Sequence, residues 1–195
     1  MTEQQPYEVI RRYPHFELRR YPDYVVAEVA VAADFDRAGN VAFRRLFNYI
    51  SGNNRGGAKL AMTAPVVQEA GQSQKLAMTA PVIQSGPLSG GGGSAEYVVG
   101  FVLPAGLTAE TAPVPTDPTV KIRAVPGSLA AVLRFSGRGS EANFERSNNG
   151  LQAALGLAGL TPVGAPRFAR FDPPFKPWFL RRNEVVQDVL QADGT

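Results

Sequence analysis

Apolar runs and helical patterns alternate along the chain in an order that occurs twice. An apolar run from Tyr24 to Val31 precedes apolar residues at spacings of three and four over about Phe35 to Ile50, and Ser51-Gly52 ends this pattern. A second apolar run from Leu129 to Phe135 precedes a second helical pattern over roughly Ser140 to Leu157. These patterns predict the order strand, strand, helix, strands in each half of an α+β domain.

The two halves also share a short stretch of similar sequence. The residues Phe16 to Pro22, FELRRYP, align with Val120 to Pro126, VKIRAVP, at an offset of 104. Internal similarity of this kind indicates a duplicated supersecondary unit. We therefore predict one domain over 1–195 with two pseudo-repeats, at about 7–104 and 119–190, and with the proline-rich stretch from Leu107 to Pro118 as the crossover between them.

A second repeat is local and stronger. The octapeptide KLAMTAPV occurs at 59–66 and again at 75–82, an offset of 16. Because side chains alternate along a strand, each copy predicts a strand with Leu, Met, Ala and Val on one face. The connection from Gln68 to Gln74 makes the copies a hairpin or a pair of neighbouring strands, whose prolines favour sheet edges or bulges.

The remaining segments predict strands separated by glycine- and proline-rich connections. A flexible loop over Ser85 to Glu96 precedes a strand from Tyr97 to Leu103. Near the end of the chain, a strand that begins at Arg167 leads into the turn PPFKPW at 173–178, and a strand from Asn183 to Leu190 follows.

Composition removes several classes of function. The 195 residues include no cysteine and one histidine, which excludes disulfides, thiolate nucleophiles, iron–sulfur clusters and metal sites that need two imidazoles. A formal net charge of +3 is too small to indicate a nucleic-acid partner. No apolar stretch is long enough to span a membrane, and MTEQQPYEVIRRY lacks the apolar core of a signal peptide, so we expect a cytoplasmic protein.

Several of these segments together resemble the SOUL haem-binding protein family. The resemblance is carried by the duplicated KLAMTAPV, by FELRRYPDYVVAEV at 16–29, FNYISGN at 47–53, FVLP at 101–104 and RFDPPFKPWFLRRNEV at 170–185, and it covers about Tyr7 to Leu190. It implies a distorted antiparallel β-barrel flanked by two helices, similar to the effector-binding domains of GyrI-like proteins. It also implies noncovalent, b-type binding of haem or another tetrapyrrole, for haem carriage or buffering rather than for catalysis.

The resemblance places the haem between the first helix and the loop that corresponds to DPPFKPWF. It carries over an apolar slot lined by Leu46, Phe47 and Ile50 from the helix and by Phe175, Trp178 and Phe179 from the turn. The alternative for the helix residues is that they face the sheet, as apolar residues at helical spacing usually do. Aromatic residues among prolines and cations are harder to bury, which favours an exposed tip that suits a flat anionic ligand.

Cations at the rim of such a slot would bind the propionates through charge-assisted contacts. The candidates, each otherwise a solvated surface charge, are Arg44, Arg45, Arg55, Lys59, Lys75, Lys176 and Arg181. Arg181 and Arg182 have a structural alternative, an ion pair with Asp172.

An axial ligand for the iron is a separate question. His15 supplies the one imidazole of the chain, although a histidine in a turn is usually solvated. The thioethers of Met62 and Met78 and the six tyrosines are the other candidates, and repeated methionine on an apolar strand face is typical of a core. Binding without any iron ligand from the protein is the remaining alternative.

Enzyme chemistry finds little support in the sequence. No G-x-S-x-G motif is present, and the glycine-rich Ser51 to Gly57 lacks the lysine of a phosphate loop and is typical of a helix stop. Glu28 interrupts the apolar strand from Val25 to Val31 and points either to solvent or into a cavity. In a cavity it would anchor the alternative function, a GyrI-like small-molecule effector pocket or hydrolytic pocket without haem. A third alternative is a scaffold that binds protein partners by strand addition.

Overall fold

The computed structural model describes residues 3–61, 63–70, 96–172 and 176–190. Two α-helices, α1 at Phe35–Ile50 and α2 at Glu141–Ala158, occur with a short 3-10 helix at Trp178–Leu180. Both α-helices lie where the apolar spacing predicts them. The strands in chain order are β1 Glu3–Gln4, β2 Glu8–Arg12, β3 Glu17–Tyr21, β4 Tyr24–Ala32, β5 Thr63–Ala64, β6 Val66–Ala70, β7 Glu96–Val102, β8 Lys121–Val125, β9 Ser128–Ser136, β10 Thr161–Arg170 and β11 Arg182–Leu190.

Within the described ranges, nine strands form one antiparallel sheet in the order β2-β3-β9-β11-β10-β6-β7-β4-β8. The order β3-β9-β11-β10 in one half corresponds to β8-β4-β7-β6 in the other. The bounds of β3 and β8 differ by the same offset of 104 that relates the two sequence segments. The duplicated sequence therefore folds into two similar four-strand units that meet between β10 and β6.

Two short links curl this sheet. β3 and β4 stand six positions apart in the strand order, yet only Pro22 and Asp23 join them, and Pro126 and Gly127 join β8 to β9 across the same separation. Strands so separated in a flat sheet would lie roughly 29 Å apart, whereas a two-residue link spans about 10 Å. The links also touch, because the Gly127 N–H donates to Asp23 Oδ1 at 2.6 Å. The sheet is thus barrel-like but open, with β2 and β8 as its edges among the described strands.

Both helices pack on one face of the curled sheet, and strand alternation supplies the core beneath them. The core cluster under α1 includes Val25, Ala27, Val29, Leu46 and Phe101. The core cluster under α2 includes Leu18, Ala131, Leu151, Leu155 and Val185. The helices in the described ranges are all too short or too polar to cross a membrane.

The first KLAMTAPV copy does not form the single strand that its alternation predicts. Lys59 to Ala61 lie outside any strand, β5 pairs with β1, and β6 begins only at Val66. Pro65 has no N–H to donate to a strand ladder, which explains the break between β5 and β6. The copy at 75–82 and the loop predicted from Ser85 lie outside the described residues.

Candidate functional site

The turn after β10 exposes three neighbouring apolar side chains. Trp178 and Phe179 are 52% and 57% exposed, stand edge to face with ring centroids 5.7 Å apart, and are followed by an exposed Leu180. The guanidinium of Arg138 lies 5.7 Å from the centre of the Trp178 ring. The structure thus places Trp178 and Phe179 at an exposed tip of the kind that marks binding surfaces, while Phe175 lies outside the described residues.

Asp172 holds this turn in place. Its carboxylate accepts hydrogen bonds from Lys176 Nζ at 2.7 Å and from the backbone N–H of Arg182 at 2.6 Å. Arg181 Nε donates to the carbonyl of Lys176 at 2.8 Å. Burial alone would raise the pKa of Asp172, but these donors and the nearby cations hold it below its ordinary value. Lys176 and Arg181, two of the predicted propionate partners, are therefore also structural parts of the turn.

Replacing Asp172 with asparagine is expected to loosen the turn at a cost of about 1 kcal/mol, because a neutral amide forms no ion pair with Lys176. A carboxyl whose pKa is lowered by folding stabilises the fold above its ordinary pKa of about 4, and this stabilisation is lost as pH falls through the folded value. Fluorescence of Trp178, the one tryptophan, should therefore shift in acid in the wild type while the circular dichroism is still native. Asp172→Asn should abolish this shift. The matched control is Asp117→Asn, since Thr119 lowers the pKa of Asp117 outside the turn; a lost shift there would contradict the assignment to Asp172.

The three slot residues predicted on α1, which are Leu46, Phe47 and Ile50, do not all lie on the same side of the helix. Leu46 is 0% exposed and Ile50 is buried with it in the core, which is the position that the alternative interpretation gave to the helix residues. Phe47 is 46% exposed and stacks on Phe43 with ring centroids 5.7 Å apart. Phe43 packs in turn on Phe101 of β7 at 5.4 Å. Sequence reasoning missed Phe43, although its spacing of four from Phe47 places the two on one side of a helix.

The register of the sheet relates this side of α1 to the aromatic turn. Phe101 pairs with Val66 of β6, and Val66 pairs with Arg170 at the end of β10. Two strand spacings, roughly 10 Å, therefore separate the strand beneath Phe43 from the strand that leads into the turn. The region between the two aromatic groups is called the slot here, and its members are Phe43, Phe47, Trp178 and Phe179. Among the described residues no ring contact joins the two groups, and the 3-10 helix that carries Trp178 packs on β9.

The other cations predicted at the rim do not single out a propionate partner. Arg44 and Arg45 are exposed on α1, and Arg55 and Lys59 are exposed in the loop that follows it. That loop is closed by Asn54, which donates to Tyr49 O and Ala58 O, so the predicted helix stop and turn are confirmed. The remaining candidates, Lys75, Met62 and Met78, lie outside the described residues.

Candidate iron ligands do not converge in the described ranges. His15 is exposed in the turn between β2 and β3, where its sequence context predicts it. Burial raises the pKa of Tyr21 to about 12 and also raises the pKa values of Tyr49 and Tyr97, which disfavours a phenolate ligand at these positions. Among the described residues, no three His, Asp or Glu side chains are grouped to hold a metal ion.

The opposite face of the sheet carries a buried ion pair that sequence reasoning missed. Arg19 NH1 donates to Glu184 Oε2 at 3.0 Å, and the two side chains are 4% and 1% exposed. Arg182 donates to the same carboxylate at 2.6 Å. Although burial opposes it, the Glu184 carboxylate raises the pKa of Arg19, so the guanidinium stays charged. The pair lines a cavity of about 20 Å³ together with Tyr7 and Tyr21.

Glu28 lines a second cavity on this face, of about 40 Å³, which is one of the two orientations that its sequence left open. Its carboxylate accepts a hydrogen bond from Arg123 Nε at 2.9 Å. The surface of the helix-free face that contains both cavities is called the groove here. Arg123 corresponds to Arg19 at the offset of 104, so each half contributes one such arginine, paired with a glutamate, to the groove. That correspondence was the signal in the sequence that could have pointed to the two arginines, although it does not identify their glutamate partners. The walls that the two cavities share are Tyr24, Val67 and Arg167.

A curled antiparallel sheet with two helices on one face, exposed aromatic side chains beside them and a polar groove on the other face defines a small α+β domain. The family model described as "SOUL heme-binding protein" matches residues 2–188. The chain therefore belongs to the SOUL heme-binding protein family, and the resemblance carried by its sequence segments is confirmed.

Curated relatives agree with this assignment. Heme-binding protein 1 of Xenopus tropicalis is 30% identical over 172 residues, which are 87% of this chain and 81% of that protein. Heme-binding protein 1 of Xenopus laevis is 28% identical over 172 residues, with the same coverage of 87% and 81%. The family and these relatives support haem binding as the general function.

Solved structures share the fold at low sequence identity. The EcmrR C-terminal domain superposes with a TM-score of 0.63 at 11% identity, covering 95% of this chain and 98% of that domain. A hydrolase encoded by lin2189 from Listeria innocua superposes with a TM-score of 0.55 at 12% identity, covering 96% of this chain and 93% of that one. These similarities concern the fold alone, and they confirm the predicted α+β class.

Proposed function

We propose that the protein binds haem or a related tetrapyrrole noncovalently, as a b-type group, in the slot between α1 and the turn after β10. In this proposal it carries or buffers haem in the cytoplasm, it catalyses no reaction, and its partner is a porphyrin rather than a nucleic acid. The observation that carries the proposal is the pair of exposed aromatic groups, Phe43 with Phe47 and Trp178 with Phe179, in a chain of a haem-binding family.

The chemistry of the slot suits a flat apolar macrocycle. Aromatic side chains bury large areas and stack on planar rings, which stabilises a tetrapyrrole without a bond to its iron. The described residues offer cations near the turn, in Lys176 and Arg138, for the acidic edge of the ligand. His15 is exposed in the turn between β2 and β3, and no contact in the described residues joins it to the slot, so the proposal assigns it no role.

A second candidate function is a small-molecule effector pocket in the groove on the helix-free face. Glu28 lining a cavity is the observation that favours it, and the fold likeness to the EcmrR C-terminal domain is consistent with it. Each described cavity has room for only one or a few water molecules, so an effector would have to displace Arg123 or the tyrosine side chains.

The proposal predicts saturable, one-to-one binding of ferric haem and of iron-free protoporphyrin IX with similar affinity. Because Trp178 is the one tryptophan and lines the slot, binding should quench the intrinsic fluorescence in parallel with the shift of the Soret band. His15→Ala should bind both ligands as the wild type does. The measurement is a titration followed by absorbance and by fluorescence.

Three other results of this titration would each contradict a different part of the proposal. Loss of haem binding in His15→Ala, with protoporphyrin unbound by the wild type, would move the site to the β2–β3 turn and make iron ligation its basis. A Soret shift without quenching of Trp178 would place the ligand outside the slot. The absence of saturable binding of either ligand would overturn the proposal and favour the effector groove, which Glu28→Gln would then test in a metabolite screen.

A further inference from the structure

Arg170 is a mostly buried guanidinium whose donors are only partly used. Its NH2 group donates to the carbonyl of Gly139 at 2.9 Å, and the guanidinium lies 4.8 Å from the centre of the Phe168 ring. Its Nε is buried and has no hydrogen-bond partner, and none of the ion pairs of the described residues includes it. Burial lowers the pKa of Arg170, and the charge of Asp36 only partly opposes this effect. A buried cation of this kind gains from a further anionic partner.

Helix α1 leaves space for this guanidinium at Gly39. A Cβ atom at Gly39 would lie 2.4 Å from Arg170 NH1, so only glycine fits there without moving the arginine. Gly150 and Gly156 inside α2 have no such neighbour, so it is the contact with Arg170 and not the presence of a glycine that distinguishes position 39. Gly39, Phe43 and Phe47 are four residues apart and therefore lie on one side of α1. Arg170 NH1, which contacts this side at Gly39, thus lies one helical turn before Phe43 and two before Phe47, the two slot members on α1.

Of the carboxylates around the N-terminal ends of α1 and α2, which are Asp34, Asp36, Glu141 and Glu145, only Asp36 acts on the guanidinium of Arg170. The positive N-terminal ends of α1 and α2 meet here, because Asp36 in the first turn of α1 accepts a hydrogen bond from the Glu141 N–H at the start of α2. Neither N-cap residue, Asp34 or Ser140, makes a side-chain capping bond. Asp36 is already hydrogen-bonded to the start of α2 and makes no ion pair with Arg170 among the described residues, so a further anion could still bind the guanidinium.

A second polar group at this place also needs a partner. Gln68 is 3% exposed, and its Nε2 donates to Phe35 O at 3.0 Å while its Oε1 has no donor. That oxygen lies 3.6 Å from the Cβ position of Gly39, on the same side of α1 as Arg170 NH1. A hydrated carboxylate satisfies both groups, since its oxygens accept from the guanidinium and its water donates to Gln68 Oε1.

We propose that Arg170 binds a carboxylate of the slot ligand, so that the site selects tetrapyrroles with free propionates over those whose propionates are esterified. The inference rests on the proposed function, because it concerns the same slot. Gly39 keeps the space for the guanidinium, and the convergent helix ends strengthen its preference for an anion.

The test compares protoporphyrin IX with its dimethyl ester, which keeps the macrocycle and removes both carboxylates. The wild type should bind the free acid at least about tenfold more tightly, as expected for a charge-assisted contact. Arg170→Gln should weaken binding of the free acid by a similar factor and leave binding of the ester unchanged, and Arg170→Lys should restore part of the difference. The ratio of the two dissociation constants, read from Trp178 quenching, is insensitive to a purely structural role.

Failure of this inference is distinguishable from failure of the proposed function. Equal affinity of the wild type for acid and ester, or equal weakening of both by Arg170→Gln, would overturn the role of Arg170 while tetrapyrrole binding stands. If the wild type binds neither compound, the proposed function falls and the inference with it.

A second variant tests the geometry without removing the charge. Gly39→Ala should push Arg170 NH1 away and lower the acid-to-ester preference toward that of Arg170→Gln. Gly150→Ala is the matched control, because Gly150 also lies inside a helix but a Cβ there meets nothing within 4 Å. An unchanged preference in Gly39→Ala would show that the position of Arg170 NH1 does not matter for the ligand.

Discussion

Replacing Glu184 with alanine is expected to lower the free energy of unfolding by about 3 kcal/mol. The side chain is 1% exposed and accepts hydrogen bonds from both Arg19 and Arg182. Its removal takes the shared carboxylate from two guanidinium groups: Arg19 keeps only the ion pair with Glu17, and Arg182 keeps none among the described residues. Losing a buried pair costs several times more free energy than losing an exposed one. Urea unfolding followed by circular dichroism measures the change, provided that the free energy of unfolding falls with urea concentration at the same slope in the variant and the wild type.

The ion pair of Arg123, which corresponds to Arg19 at the offset of 104, supplies the control for this prediction. Glu28 pairs with Arg123, but that arginine side chain is 46% exposed, so Glu28→Ala should cost less than about 1 kcal/mol. The double variant Arg19→Met with Glu184→Leu should be more stable than Glu184→Ala, since it removes the more deeply buried of the two guanidinium groups that lose the carboxylate and leaves only Arg182, whose side chain is 17% exposed. A loss in Glu184→Ala no larger than that in Glu28→Ala would contradict the importance assigned to burial.

Local patterns predicted much of the fold because each half repeats the same packing solution. The apolar run that forms β4 and the spacing that forms α1 specify one face each, and burial of both faces against each other requires their observed packing. The segment FELRRYP and its counterpart at 120–126 predicted corresponding strands, and β3 and β8 occupy those segments. The prediction of one continuous strand through Pro65 was wrong, because proline has no N–H to donate to a neighbouring strand even where the side chains alternate.

The buried pair could not be predicted, because it depends on the curl of the sheet. Arg19 and Arg20 are consecutive and point to opposite faces of β3, and the sequence alone does not say which face the helices cover. The partner, Glu184, lies 165 residues away along the chain. Only the pairing of β3 with β9 and of β9 with β11 brings the two together.

Which residues of α1 face the slot could not be predicted from the sequence either. Leu46 and Phe47 are neighbours in sequence, but consecutive residues on a helix point about 100° apart, so the two do not share one wall. The apolar spacing identified Leu46 as a member of a face without deciding whether that face meets the sheet or a ligand. The observed packing makes Leu46 part of the core and leaves Phe47 free for the slot.

Because Leu46 is buried and Phe47 is exposed, substitutions at these neighbouring residues should affect stability and haem binding in opposite ways. Leu46→Ala should lower the free energy of unfolding by about 3 kcal/mol, because it leaves a cavity in a closely packed core. It should leave the dissociation constant for haem within about twofold of the wild type, since Leu46 is 0% exposed and cannot touch a ligand. Calorimetry and a Soret titration at a temperature where the variant is folded measure the two quantities.

Phe47→Ala should do the reverse. It removes a half-exposed ring that stacks only on Phe43 in the helix surface, so stability should fall by less than about 1 kcal/mol. Haem should bind about tenfold more weakly, because a ring that the macrocycle would cover is gone. Val41→Ala is the control, since Val41 is exposed on the same helix but outside the slot. If Phe47→Ala binds haem like Val41→Ala, the macrocycle does not lie against α1, and the slot would have to be sought on the turn at Trp178 alone.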